Sequence, residues 1–522
     1  MSARIAVWLV AIGLAVGHAQ IDLGHGSDPV ADGVKASERL PLLSPFETRL
    51  WQKAPFTLVY LPPTEVPPND WEGYNHPFTV AGYVAPAPPD LWRSCRWTPF
   101  QHGDVSGRLG VMHLRSPNAK ALRLRLSGKN WHPRAEIRIF DPQVKVAFGP
   151  LRPEWDEDGN WWTTIIFGDT IGIEVFIPDT VKVSELPEIS AIAYHFRGWS
   201  VSDYAPASGC PLLDVTCYPD WADHQAAVCM VATISGGNVS GFCSGAALAR
   251  NPVDSDPYYA PIAMTARHCV SSSSSGTLLV WNYQTATCNG TPPNPNTLPR
   301  NSGVTVLKTI TNADWTLLGT REALRSSFYL GWNSSASWAL NAPATLISHP
   351  GGQFKRISFA TRTGTSSCIG ASTWLVRLSQ GSILGGSSGS PVLDSDRRVR
   401  GTATCASSCL LQGAKCCAPD PNAVVLHGRL DTAFPTVRWY LFNPANPTYV
   451  DRSVAGDPNN EGTTEQGGSL TPFNTLYEGI VCVPTGGTVI VQPGNYNERL
   501  LFWRPMVIER GGTSGVVVIG AP

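Results

Sequence analysis

The sequence predicts an all-β, loop-rich chain, and three observations carry that prediction. Gly 49 and Pro 44 among 522 residues supply turns throughout, which favours short strands over long helices. Apolar and polar residues alternate with period two in short runs such as Leu122-Arg-Leu-Arg-Leu126 and Ala135-Glu-Ile-Arg-Ile-Phe140. Turn signals recur every ten or so residues between such runs, as expected of a sandwich or barrel. Hydrophobic residues make up 43%, enough to bury several cores, so wholesale disorder is excluded. The charge balance excludes another class. Lys plus Arg number 39 and Asp plus Glu 40, whereas an electrostatic nucleic-acid binder needs a basic face.

The elements follow in chain order. Residues 1–19 have Arg4, then the apolar run Ile5 to Val16, then Gly17-His18-Ala19, the order of a cleavable secretory signal. Twelve apolar residues are too few to cross roughly 30 Å of hydrocarbon, so no membrane insertion is expected. Residues 20–90 hold Pro62-Pro63, Pro67-Pro68 and Pro88-Pro89 and read as an extended leader or pro-region. Residues 91–200 read as a β-sandwich, with Trp161-Trp-Thr-Thr-Ile-Ile-Phe167 and Ile171-Gly-Ile-Glu-Val-Phe-Ile177 as two further strands. Its tryptophans are read as core and inter-sheet packing rather than as a sugar platform. A cysteine-rich region, 205–443, comes next. After Asn443-Pro-Ala-Asn-Pro447 the composition shifts to Gly, Thr and Asn with short valine strands, through residue 522.

Three motifs in 205–443 carry chemistry: Thr265-Ala-Arg-His-Cys269, Asn312-Ala-Asp-Trp-Thr-Leu-Leu318 and Gly385-Gly-Ser-Ser-Gly-Ser-Pro391. Singly, each has a bland reading as a core histidine, a turn residue or a flexible loop. Together they give His, Asp and Ser in that order, 46 and 74 residues apart. That constellation resembles the chymotrypsin-like double β-barrel serine proteases, and more closely the secreted bacterial lysyl endopeptidase group. The likeness extends through Ser208-Gly-Cys210, Leu279-Val-Trp-Asn-Tyr283, His349-Pro-Gly351, Lys355-Arg-Ile-Ser358 and His427-Gly-Arg429. It implies a double-barrel serine endopeptidase domain acting on protein or peptide substrates, without metal or other cofactor. Separately, Gly487-Thr-Val-Ile-Val-Gln-Pro-Gly-Asn-Tyr496 resembles the opening coil of right-handed parallel β-helix proteins, and a surface or polysaccharide is the partner considered for that module.

The resemblance assigns roles residue by residue. Ser388 matches the nucleophile, because Gly-Ser-Pro follows it; His268 matches the general base and Asp314 its orienting carboxylate. The backbone N–H groups of Gly386 and Ser388 match the oxyanion hole, where losing one donor costs about 3 kcal/mol. Ser387 is expected to be passive. The same likeness pairs Cys243 with Cys269, Cys217 with Cys288, and Cys210 with a cysteine near 405–409, most plainly Cys409. Cys229, Cys368, Cys416 and Cys417 stay unassigned. Thirteen cysteines fit an oxidising compartment, and the odd count leaves at least one thiol unpaired within the chain.

Specificity reads from absent charge. In trypsin-like enzymes the pocket acid lies six positions before the nucleophile, here Ser382. In lysine-specific relatives it lies ahead of an x-Tyr-Gly-Arg segment, here Leu426-His-Gly-Arg429, where Val425 stands in its place. Both positions are neutral, so the pocket, with walls near Thr404 and Val425, is expected to take an uncharged side chain. Asp420 is the alternative source of a basic preference. Two further alternatives are a catalytically silent binding protein and a polysaccharide-cleaving C-terminal module. The acids of that module (Asp451, Asp457, Glu461, Glu465, Glu478, Glu498, Glu509) look scattered along the chain.

Overall fold

The computed structural model describes Arg4–Ile5 and residues 29–520 apart from 36–46, 52, 66–78, 129–130, 145, 152–158, 198–209, 236–238, 251–260, 271–275, 408–409, 411–416, 443–445, 455–464, 499, 501 and 503–504. The expected signal, Arg4–Ile5 excepted, and the expected processing stretch 201–208 lie outside the described residues.

Two facing sheets form the N-terminal sandwich. One runs Glu47–Thr48, Val146–Phe148, Glu136–Phe140, Thr170–Pro178, Val105–Arg115, Thr57–Tyr60, with Trp97–His102 also on Val105–Arg115. The other begins Asn160–Trp162, Ala121–Ser127, Glu188–His195, Thr79–Pro86. Leu122, Leu124 and Leu126 of the second sheet meet Ile137, Ile139, Ile173 and Val175 of the first in one core, as period-two alternation requires. Trp161 packs in that core too.

The alternate face of Ala121–Ser127 does not meet water. Arg123 is buried, its guanidinium donating to the carbonyls of Thr163 and Gly276. The reason is that this sheet does not end at the sandwich. Thr79–Pro86 pairs with Glu188–His195 on one edge and with Val239–Ala247 of the following region on the other. Arg300 donates across the same boundary to Thr164 Oγ1 at 2.9 Å and Ile165 O at 2.8 Å. Asn296 accepts from Phe167 N–H and donates to Asp141 Oδ2 at 2.7 Å. Phe167, Ile165 and Ala121 share a core with Met230, Phe242, Leu278 and Val280.

The leader is also tied in. Val30–Ala31 pairs with Trp332–Asn333, Val34–Lys35 pairs with Phe328–Tyr329, and Asp32 meets Arg398 at 2.6 Å. Strands this short, set among prolines, give no periodic signal, which is why the sequence reads there as a free leader.

Two barrels follow. In the first, Val228–Ser235, Val239–Ala247, Ile262–Ala266, Trp315–Thr320 and Val304–Ile310 pair in succession, and Leu278–Val280 and Arg300–Asn301 extend the other edge. The second closes on itself. Pro343–Ser348 pairs with Arg356–Cys368, then Ala371–Gln380, Val424–Arg429, Val399–Ala406 and Pro391–Leu393, which returns to Pro343–Ser348. The helix Leu430–Leu441 leads out of it. In the C-terminal segment Thr448–Val450, Thr488–Val491 and Val507–Arg510 pair in parallel, as do Gly494–Tyr496 and Val517–Ile519. Val450, Ile480, Val489 and Tyr496 join the same apolar core as Leu307, Trp315 and Tyr440.

A chain whose sheet runs through both regions should survive a cut between them. With a specific protease site inserted between residues 201 and 208, the two cleaved pieces are expected to co-elute in size-exclusion chromatography without denaturant. Separate elution would show that the shared edge and buried Arg123 do not hold them.

Candidate active site

His268 sits just beyond the strand Ile262–Ala266, and its position is set by three contacts with one residue. Arg267 N–H donates to Asp314 O at 3.1 Å, His268 N–H to Asp314 Oδ1 at 3.0 Å, and His268 Nδ1 lies 2.7 Å from Asp314 Oδ2. A carboxylate acceptor there selects the tautomer that carries hydrogen on Nδ1 and leaves Nε2 as the base. Nε2 is buried and has no hydrogen-bond partner among the described residues. The Cys243–Cys269 disulfide anchors the next residue to the neighbouring strand. Donor atoms of Cys243, His268 and Cys269 all lie within 4.8 Å, but disulfide sulfurs are not thiolates, so the cluster does not suit a metal.

Asp314 closes the turn Thr311–Ala313 with φ 51°, a left-handed conformation that Asp tolerates better than most residues. It is 3% exposed. The next residue, Trp315, donates through Nε1 to Gly428 O at 2.8 Å, which ties the turn to the second barrel. Gly428 has no room for a side chain, since a Cβ there would lie 1.8 Å from Ala313 O.

Ser388 lies on the loop between the second-barrel strands Ala371–Gln380 and Pro391–Leu393, flanked by Gly386 (φ 91°) and Gly389 (φ 81°). A Cβ at Gly389 would come within 2.9 Å of Ala266 N, so the residue after Ser388 abuts the strand end that delivers His268. Ser388 is half-buried, while Ser387 is 1% exposed and takes a hydrogen bond from Ser348 Oγ at 3.1 Å. The two adjacent serines therefore differ in access. Gly389 N–H donates to Ala403 O and Ala403 N–H to Ser390 O, both at 2.8 Å, fixing the loop to strand Val399–Ala406.

Ser244 is a residue that the motif reading missed. Its Oγ donates to Gly386 O at 2.9 Å and accepts from His349 N–H at 2.9 Å, while its N–H donates to Ser388 O at 2.7 Å. One serine thus holds two carbonyls of the loop that carries Ser388. Its only sequence signal is its place next to Cys243.

With this geometry in view, the comparisons with known proteins are specific. Residues 205–419 match the family model described as the lysyl endopeptidase C-terminal domain, and residues 85–190 the one described as the lysyl endopeptidase N-terminal domain. The chain is similar to lysyl endopeptidase over both regions. It is 26% identical over 262 residues to a lysyl endopeptidase of Pseudomonas aeruginosa, covering 46% of this chain and 56% of that protein. The chain therefore spans little more than half the length of that curated relative. Among solved structures, the active form of the Rv3671c protease of M. tuberculosis is 14% identical, covers 46% of this chain and 91% of its own, and has a TM-score of 0.30. The HtrA-type protease AlgW with tripeptide is 12% identical, covers 42% and 62%, and has a TM-score of 0.29.

The lysyl-endopeptidase-like chain departs from expectation at one disulfide. Cys210 pairs with Cys417, not with Cys409, which lies outside the described residues. The two candidates are only eight residues apart, so the loop closed is almost the same length and chain entropy cannot choose between them. Cys217–Cys288 and Cys368–Cys405 are the remaining bridges among the described residues. Cys95, Cys229 and Cys482 are buried and take no part in these bridges.

The specificity residues are brought only partly together. Val425 is in the second-barrel core with Ile383, the neighbour of Ser382. Ser382 is buried, and its carbonyl accepts from Ser358 Oγ at 3.0 Å. Thr404 Oγ1 takes Gly428 N–H at 3.0 Å and donates to Thr402 O at 3.1 Å, so it acts on backbone. Asp420 Oδ1 accepts Asn422 N–H at 2.7 Å and closes its own turn. His427 is fully buried opposite Ala403 and Trp374, and burial pushes its pKa down to about 3, so the strand is neutral at this position. Two of the likeness-bearing residues prove to be interior groups. His349 Nδ1 lies 2.8 Å from Gln353 O, and Lys355 Nζ donates to Gln284 Oε1 at 3.0 Å, its pKa lowered to about 7 by burial.

If Ser244 positions the Ser388 loop, Ser244→Ala should lower kcat roughly five- to thirty-fold, the equivalent of one or two hydrogen bonds of about 1 kcal/mol each. KM should change little. Steady-state kinetics with a peptide ester checks this, and an unchanged kcat in a folded variant would remove Ser244 from the account.

Proposed function

We propose that this chain is a secreted serine endopeptidase that hydrolyses peptide bonds through an acyl-enzyme formed on Ser388. The observation that carries the reading is the Asp314 carboxylate bound to both the backbone and the ring of His268. In the first step His268 Nε2 takes the Ser388 hydroxyl proton as Oγ attacks the carbonyl carbon. Asp314 keeps the imidazole oriented and stabilises the imidazolium that forms. The developing oxyanion is held by Gly386 and Ser388 N–H groups, and His268 then returns its proton to the leaving amine. Water attacks the acyl-enzyme by the same route in reverse.

Export is supported by the four disulfides among the described residues, since such bonds persist in an oxidising compartment. No helix among the described residues is long and apolar enough to cross a membrane. Activation is read as a cut between Arg197 and Gly209, with the N-terminal region as the pro-part of a zymogen. The name of the Pseudomonas relative suggests lysine before the scissile bond, but the two positions that supply the acid elsewhere are Ser382 and Val425 here. An unpaired ammonium buried there would cost several kcal/mol, so an uncharged residue is the proposed preference. The basic alternative would need Asp420.

Replacing Ser388 with Ala should abolish hydrolysis, while Ser387→Ala should leave most of it; equal losses in two folded variants would overturn the assignment. A peptide-library digest read by mass spectrometry should show cleavage after uncharged residues. Predominant cleavage after Lys or Arg, lost in Asp420→Asn, would show that the pocket is basic-selective.

A further inference from the structure

The C-terminal acids that look scattered in sequence come together in one buried cluster. Glu465, 1% exposed, and Glu478, 3% exposed and on the helix Leu476–Cys482, meet Lys308 of the strand Val304–Ile310, itself 1% exposed. Lys308 Nζ is 4.0 Å from Glu465 Oε2. Tyr440, from the helix Leu430–Leu441, donates its hydroxyl to Glu478 Oε1 at 3.3 Å, and Thr475 Oγ1 donates to Glu478 Oε2 at 2.8 Å. Asn474 N–H donates to Glu465 Oε1 at 2.8 Å. Also at this helix are Tyr477, with Arg321 over its ring, Cys482, whose thiol donates to Trp439 O at 2.9 Å, and Glu498, which takes the Leu476 and Tyr477 N–H groups. Arg250 closes the far end of the helix on the carbonyls of Val481 and Cys482.

This cluster grips the element that delivers Asp314. Val304–Ile310 and Trp315–Thr320 form a hairpin whose turn, Thr311–Ala313, leads directly into Asp314. The pairing shifts register at Lys308, so the strand is bent where the cluster holds it. On the partner strand Gly319 is required, because a Cβ there would lie 2.5 Å from Tyr477 Oη. The helix Leu430–Leu441 also packs on both strands and on the turn.

We propose that the C-terminal segment is a clamp on the hairpin 304–320, and so a positioning element for Asp314, latched by one proton held among Lys308, Glu465 and Glu478. The proposal rests on the catalytic role given to Asp314 above. Two carboxylates and one ammonium would leave an uncompensated negative charge in a site closed to water, which is costly. One proton on the pair restores balance. Burial, then the charge of Glu465, push the Glu478 carboxyl up to about 7 against the pull of Lys308. A carboxyl raised on folding stabilises the folded clamp fully below its unfolded value, near 4.5, and that contribution is lost as pH climbs through about 7.

The test is amide hydrogen exchange on the full chain carrying Ser388→Ala, compared at about pH 5 and about pH 8 after correction for intrinsic exchange. Protection of residues 304–320 and 476–482 should fall about tenfold or more at the higher pH. Glu478→Gln, a neutral isostere, should keep the low-pH protection at both, and Lys308→Met should lose it at both. In the Ser388 enzyme, the kcat of Glu478→Gln relative to the parent should rise with pH while KM holds. Protection independent of pH, or the same pH dependence in Glu478→Gln, would overturn the latch. Exchange behaving as stated, with kcat unchanged in both Glu478→Gln and Asp314→Asn, would instead overturn the role of Asp314 and leave the clamp standing.

Discussion

One carboxylate organises the site. Asp314 accepts the His268 backbone N–H on one oxygen and meets the ring nitrogen with the other, while its own carbonyl takes Arg267 N–H. A group that satisfies backbone and side chain of the same partner leaves that partner few other orientations. The carboxylate can do this only because its residue sits in a left-handed turn at the end of a hairpin and is shielded from solvent. Most of the surrounding architecture holds that turn in place: Trp315 bonded to Gly428, Gly428 fitted under Ala313, and the Cys243–Cys269 bridge beside His268.

The serine side is held differently. Ser388 is on a loop rather than a strand, and its backbone is fastened from both barrels. Ser244 reaches it from the first, and Ala403 pairs with its neighbours from the second. The relative positions of His268 and Ser388 therefore depend on how the two barrel regions meet. Glycines at 386 and 389 are needed because both have positive φ and because side chains there would strike backbone.

Much of this was legible in the sequence, and the reasons differ by element. Leu122, Leu124 and Leu126 announced a strand because one face of a sheet is apolar. Arg123 on the alternate face is buried as well, because that face packs against a second region. Local periodicity carries no information about what covers a face. His268, Asp314 and Ser388 stood out because chemistry demands those residue types in recognisable surroundings. Ser244 did not, since a serine that bonds backbone looks like any other serine. Glu465, Glu478 and Lys308 seemed unrelated because a cluster joined by tertiary packing leaves no spacing to read. The Cys210 partner was beyond sequence for the reason that two cysteines eight residues apart close equivalent loops.

The N- and C-terminal segments are packed into the 205–443 region rather than appended to it. One continues its sheet into the first barrel and the other shares its core. The central claim remains that Ser388 is made nucleophilic by His268 under the control of Asp314. Labelling of the intact protein with a fluorophosphonate, with the adduct located by mass spectrometry, tests it most directly. The account predicts a single adduct on Ser388 that is lost in His268→Ala and slowed by orders of magnitude in Asp314→Asn. An adduct on another residue, or labelling of Ser388 at an unchanged rate in His268→Ala, would contradict it.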